Sequence, residues 1–135
     1  MAQPAWYSQL TWEGPCSVAV VNQDRTIIPD FPGCYAFTTH PGPLLPNRVL
    51  YVGESRASLA RRLTVYLVDW RLPKASESHK GKGFVLEARQ QRGDHGVYLR
   101  WVRYGGAPWQ VSQLEASLIE YLNPHGNDRD EEVRH

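Results

Sequence analysis

The chain predicts a small α/β (α+β) sandwich: a mostly antiparallel sheet of three core strands with N-terminal additions, flanked by helices. Three observations predict it. Cys34 to Thr38 and Arg48 to Val52 are strand-like runs, joined by a loop holding three Pro and one Gly, a connection that suits antiparallel neighbours. Apolar spacing then turns helical in two stretches, one led by Leu59 and Leu63 and the other by Val111 and Leu118. Finally, 135 residues fit one domain and are too few for two of ordinary size.

In chain order, Cys16 to Val21 reads as a short strand, Asn22 to Arg25 as a turn and Thr26 to Ile28 as a return strand. Pro29 to Gly33 brings the chain extended into Cys34-Tyr35-Ala36-Phe37-Thr38, where period two puts Tyr35 and Phe37 on one face. The next strand, Arg48 to Val52, ends at Gly53. From Ser55 or Ser58 to Trp70 the stripe Leu59, Leu63, Tyr66, Leu67, Trp70 predicts a helix packed on the sheet, which Pro73 terminates. Lys74 to Gly83 reads as a polar loop and Phe84 to Arg92 as a short helix. Val97 to Tyr104 is the clearest strand, with Val97, Leu99 and Trp101 on its apolar face. Gly105-Gly106 breaks it, and a helix runs from Pro108, a residue suited to a first helical position, to about Leu122 before Pro124 excludes continuation.

Composition is globular, 41% apolar with five Trp and seven Tyr. No stretch approaches the roughly 20 apolar residues of a membrane span, and the N-terminus lacks a basic flank and hydrophobic run, so a soluble, cytoplasmic protein is expected. Cys16 and Cys34 read as reduced thiols, and the five His show no zinc spacing. The net charge of +1 is unevenly placed: from Arg48 to Arg103 there are 12 Lys/Arg against 5 Asp/Glu. Such a segment forms either a basic face for phosphates or a solvated loop.

Single residues leave alternatives open. Glu115 falls with Val111, Leu118 and Leu122 inside the buried stripe of the last helix. It is a capping-box member with Ser112, half of a buried ion pair, or a cation ligand. Arg62 borders the sheet-facing stripe, as surface Arg residues that form ion pairs do. Tyr35 and Tyr51, taken singly, read as cross-strand aromatics, and Asn127 as a turn residue.

Jointly, Gly33-Cys34-Tyr35 and Tyr51-Val52-Gly53 resemble the two strand motifs that name the GIY-YIG nuclease family. Leu59, Arg62 and Tyr66 follow at the family's helix spacing, with one extra residue after Gly53 that keeps Arg61 as an alternative arginine. Glu115, Leu118-Ile119, Pro124 and Asn127 match the intervals of its later block. The resemblance covers about residues 32–127, leaving an N-terminal elaboration 1–31, an insertion at about 73–95 and an acidic tail 128–135 within a single domain.

What the resemblance implies is a DNA endonuclease that hydrolyses phosphodiesters with Mg²⁺ (or Mn²⁺), in repair, restriction or a related process. Tyr51 would activate water with Tyr35 hydrogen-bonding beside it, Tyr66 would orient water or phosphate, and Asn127 would hold the framework. A cationic fork such as Arg62 suits the charge that builds on phosphate oxygens, and Glu115 suits a single anchor for a mostly hydrated Mg²⁺. Arg56, Arg61, Arg71, Lys74, Lys80, Lys82, Arg89 and Arg92 are the candidate DNA-backbone contacts. Glu54 departs from relatives with Lys or Ser at that place; it would repel phosphate, bind a second cation or pair with Arg56. With no room for a separate DNA-binding domain, specificity would come from a surface loop, a homodimer or a targeting subunit. The competing class is a non-cutting nucleic-acid- or partner-binding module on the same fold.

Overall fold

The computed structural model describes residues 3–71 and 80–127. Four strands, β1 (Glu13–Ser17), β2 (Gly33–Thr38), β3 (Tyr51–Ser55) and β4 (Tyr98–Arg103), form one antiparallel sheet in the order β1-β4-β2-β3. The helices are α1 (Ala5–Ser8), α2 (Val18–Gln23), α3 (Leu59–Leu63), α4 (Lys80–Arg92) and α5 (Pro108–Leu122). Strand β2 is covered on both sides, and all six of its residues are buried.

Alternation along the strands divides the interior into two layers. Tyr35, Phe37, Leu99 and Trp101 pack with residues of α2, α3 and α4. Cys34, Ala36, Val52 and Val102 pack beneath Val111, Leu114, Leu118 and Leu122 of α5. Burying each such Leu, Val or Phe contributes about 1.5–3 kcal/mol, which makes the sheet a firm platform for whatever lies at its rim.

Helix α5 has Pro108 at its start, the Ala107 N–H donating to the Gln110 side chain at 2.8 Å, and a left-handed Asn123 (φ 49°) closing it before Pro124. Since the helix begins at Pro108, Ser112 and Glu115 lie in its body and form no capping box.

Other expectations need correction. Val18 to Val21 belongs to α2, because the Ser17 hydroxyl accepts from the Val20 N–H at 3.1 Å and starts a helix where β-branched residues suggested a strand. The return strand at Thr26 is a 3-10 turn, Arg25–Ile27, with Asp24 accepting from the Thr26 N–H at 3.1 Å. Strand β3 starts at Tyr51 and runs through Gly53, which therefore does not end it. Helix α3 is short, capped by the Ser58 hydroxyl on the Arg61 N–H, and passes into the 3-10 turn Thr64–Tyr66. Its stripe is nevertheless buried at Leu59, Leu63, Tyr66 and Leu67. Helix α4 begins at Lys80, four residues before Phe84. Lys74 lies outside the described residues, as does the side chain of Lys80. No described helix is long and apolar enough to cross a membrane.

Candidate active site

Strand β3 is an edge, and the candidate residues collect around its second half from both sides of the sheet. On the α3/α4 side, the Tyr35 and Tyr66 hydroxyls share a hydrogen bond of 2.7 Å. The Tyr51 ring completes the group, with centroids 6.5 Å from Tyr35 and 6.0 Å from Tyr66. Glycine makes this packing possible. A Cβ on Gly53 would overlap the Tyr35 phenol, and one on Gly81 of α4 would overlap the Tyr51 ring.

Tyr35 and Tyr66 are fully buried, whereas Tyr51 is partly exposed. Burial pushes all three phenols above their ordinary pKa. For Tyr51, a hydrogen bond with Tyr66 opposes the rise, Glu115 adds to it, Arg62 lowers it and Glu54 adds again. A standing phenolate at neutral pH is therefore disfavoured here.

Arg62 projects from α3 towards these phenols. Burial works against its charge, but the adjacent Tyr35 phenol, with Tyr66 and Tyr51 beyond it, holds the guanidinium above its usual value. Arg62 is the guanidinium coupled to Tyr35, Tyr51 and Glu115. Arg61 is exposed and contributes its backbone N–H to the Ser58 cap.

The α5 side of β3 presents carboxylates. Glu54 accepts from Ser112 at 3.3 Å and pairs with Arg56 at 3.5 Å, and Arg56 also donates to the Ser112 hydroxyl at 3.0 Å. Of the roles open to Glu54, pairing with Arg56 is the one present. Glu115, one turn along α5 from Ser112, is half-buried and makes no hydrogen bond or ion pair among the described residues. Burial and then the Glu54 carboxylate push its pKa up to about 7, with Arg62 and Arg56 opposing. A cavity of about 280 Å³ opens here, lined by Glu54, Ser55, Arg56, Ala57 and Arg62.

Asn127 fixes the frame. Its side chain accepts from the Val52 N–H at 2.7 Å and donates to the Val52 carbonyl at 2.9 Å, holding the strand between Tyr51 and Gly53. The neighbouring residues of the 3-10 turn His125–Asn127 bond the carbonyls of Val49 and Leu50.

Of the basic candidates, Arg56, Arg61, Arg71 and Arg92 are exposed, although Arg71 is bonded to Asp69 at 2.7 Å. Two others are corrected. Arg89 is 2% exposed, pairs with Asp94 at 2.8 Å and donates to the carbonyls of Tyr66 and Val68 at 2.8 and 2.6 Å, so it cannot face a phosphate. Lys82 is buried too. Arg89 is a residue whose role the sequence reading missed: it ties α4 to the turn that carries Tyr66. Its spacing of four from Val85, on an apolar face, was the available signal. Ser112 was weighed only as a cap and is instead the link between Glu54 and Arg56.

Among the described residues no group of three or more His, Cys, Asp or Glu gathers as a metal cage. The donors nonetheless fit a hydrated divalent ion, which needs only one or two carboxylates, and Glu115 is a carboxylate that Arg62 and Arg56 attract only from a distance. No protein-family model matches the chain, and no curated protein matches its sequence.

Proposed function

We propose that the chain is a divalent-metal-dependent DNA endonuclease of the GIY-YIG type. The observation that carries this is the meeting, at one edge of the sheet, of Arg62, the Tyr51 phenol and the partnerless Glu115 carboxylate. Arg62 receives the negative charge that builds on non-bridging phosphate oxygens. Tyr51 orients the attacking water through its hydroxyl, and loses its proton only when enough positive charge gathers beside it to offset burial. Tyr35 and Tyr66 sit behind Tyr51 and position it rather than touching DNA. Glu115, with Glu54 as its neighbour, would hold Mg²⁺ or Mn²⁺, and the ion would supply positive charge to offset the phosphate and the departing 3′ oxygen. Arg56 lines the cavity and is the first candidate phosphate contact, with exposed Arg61 a second.

The burial of Tyr35 and Tyr66 favours one second reading, a module that binds nucleic acid without cutting. Supercoiled, linear and branched DNA incubated with protein and Mg²⁺ separates the two. Wild type should nick, and Arg62→Ala should lose about 10²–10³ in rate. If wild type nicks none of these forms faster than Glu115→Gln while still binding them, the non-cutting module is correct. A second readout needs no cleavage: Mg²⁺ should raise the thermal midpoint of wild type at pH 8 and leave Glu115→Gln unchanged.

A further inference from the structure

Arg100 lies in the middle of β4 opposite Ala36, on the α5 side of the sheet, and is only 3% exposed. It takes part in none of the four ion pairs among the described residues. One nitrogen, Nη2, donates to the Gly42 carbonyl. The other, Nη1, is buried with no partner, and so is Trp12 Nε1. Trp12 stands near the Tyr7 hydroxyl but outside hydrogen-bonding geometry, and that hydroxyl donates to the Leu44 carbonyl at 3.1 Å. Burial lowers the Arg100 pKa, consistent with a guanidinium that lacks its counter-charge.

Both residues border one cavity of about 420 Å³, together with Gln3, Tyr7, Pro15, Pro43 and Leu44, and their two orphaned nitrogens lie just beneath its surface. A volume of this size falls in the range of small-molecule sites, about 300–1,000 Å³. The cavity sits two strands from β3, and the N-terminal segment that helps to build it precedes β2. It is thus separate from the Glu115 site.

Buried donors without acceptors are costly, and a buried cation without an anion more so, unless a ligand supplies both. Two orphaned N–H groups match the two oxygens of a carboxylate. A phosphate would bring further charged oxygens, for which the lining offers only the Gln3 amide, already bonded to Ser8, beside proline and leucine carbon. We propose that this cavity binds a small organic acid with an apolar body, its carboxylate received by Arg100 Nη1 and Trp12 Nε1. Trp12 and the Pro-rich wall shift to admit it, and the inference does not depend on nuclease activity.

Titration of the full chain with acetate, hexanoate and benzoate, followed by the indole N–H resonances, tests the proposal. Trp12→Phe assigns the Trp12 signal by its disappearance. Benzoate or hexanoate should shift that signal saturably, while acetate, benzamide and inorganic phosphate should bind at least about tenfold more weakly. Arg100→Met should abolish the shift. Absence of a saturable shift with all three acids overturns the proposal, as does an equal response to benzamide or phosphate or a response retained in Arg100→Met. The benzamide comparison uses only wild type, so it decides even if Arg100→Met fails to fold.

Discussion

Arg89 and Arg100 are both buried arginines, one on each side of the sheet, yet their surroundings differ completely. Arg89, on the α4 side, has a carboxylate across from it and two carbonyls within reach. Arg100, on the α5 side, has one carbonyl and an orphaned nitrogen. Glu115 repeats the second pattern at the other end of the α5 layer. The α4 side thus uses its buried charge to hold the tyrosine cluster in place, whereas on the α5 side Arg100 and Glu115 form no ion pair among the described residues. Pairing, more than burial, separates scaffold from candidate site.

The sharpest way to break this contrast is to replace each arginine by Met and measure urea unfolding. Arg89→Met should cost about 3–5 kcal/mol, because it strands Asp94 and the Tyr66 and Val68 carbonyls. Arg100→Met should be neutral or stabilising by about 1 kcal/mol or more, since it removes a charge that had no partner. Equal losses in the two variants would end the comparison.

Next in size is the tyrosine cluster. Gly53→Ala forces a methyl into the Tyr35 phenol, which is buried and bonded to Tyr66, so it should cost about 1–3 kcal/mol. Tyr35→Phe should cost about 1 kcal/mol by removing the hydroxyl that shares a hydrogen bond with Tyr66, and the Tyr35→Phe/Tyr66→Phe double variant should lose less than the sum of the singles.

The α5 side should also respond to pH. In metal-free buffer the folded Glu115 carboxyl titrates at about 7 rather than its ordinary 4.5, so between those values the folded state binds more protons than the unfolded one. Its contribution is complete below about pH 4.5, and stability falls by about 2 kcal/mol as pH rises through 7. Chemical unfolding across this window should show the slope in wild type and not in Glu115→Gln. Saturating Mg²⁺ should flatten it. The smallest effect belongs to Arg56→Ala, whose exposed pair with Glu54 contributes less than about 1 kcal/mol. The variant should bind DNA more weakly with a shallower salt dependence while unfolding almost as wild type does.

Much of the frame was legible because its signals are local. Pro108 and Pro124 bracket α5, and alternation marks β2 and β4. Glycine misled twice. Local pattern makes Gly53 the end of a strand and Gly81 part of a loop, although at each a tyrosine ring leaves no room for a Cβ. That cause is tertiary and invisible to a reading of neighbours along the chain. Arg89 and Lys82 were assigned to the surface on charge alone, which local spacing can correct only once α4 is known to start at Lys80. Arg100 drew no attention, for a buried cation without a partner has no signature in composition.

The Asn127 clamp bears on how copies of this chain can meet. An open edge strand is a template on which another strand can pair, the usual start of sheet-to-sheet stacking and aggregation. Here the side-chain amide already occupies both the N–H and the carbonyl that Val52 turns outward. Growth of the sheet past β3 is thereby blocked at the residue between Tyr51 and Gly53. The rim that carries the candidate residues stays open to side-chain contacts with a ligand while being closed to a second β-sheet.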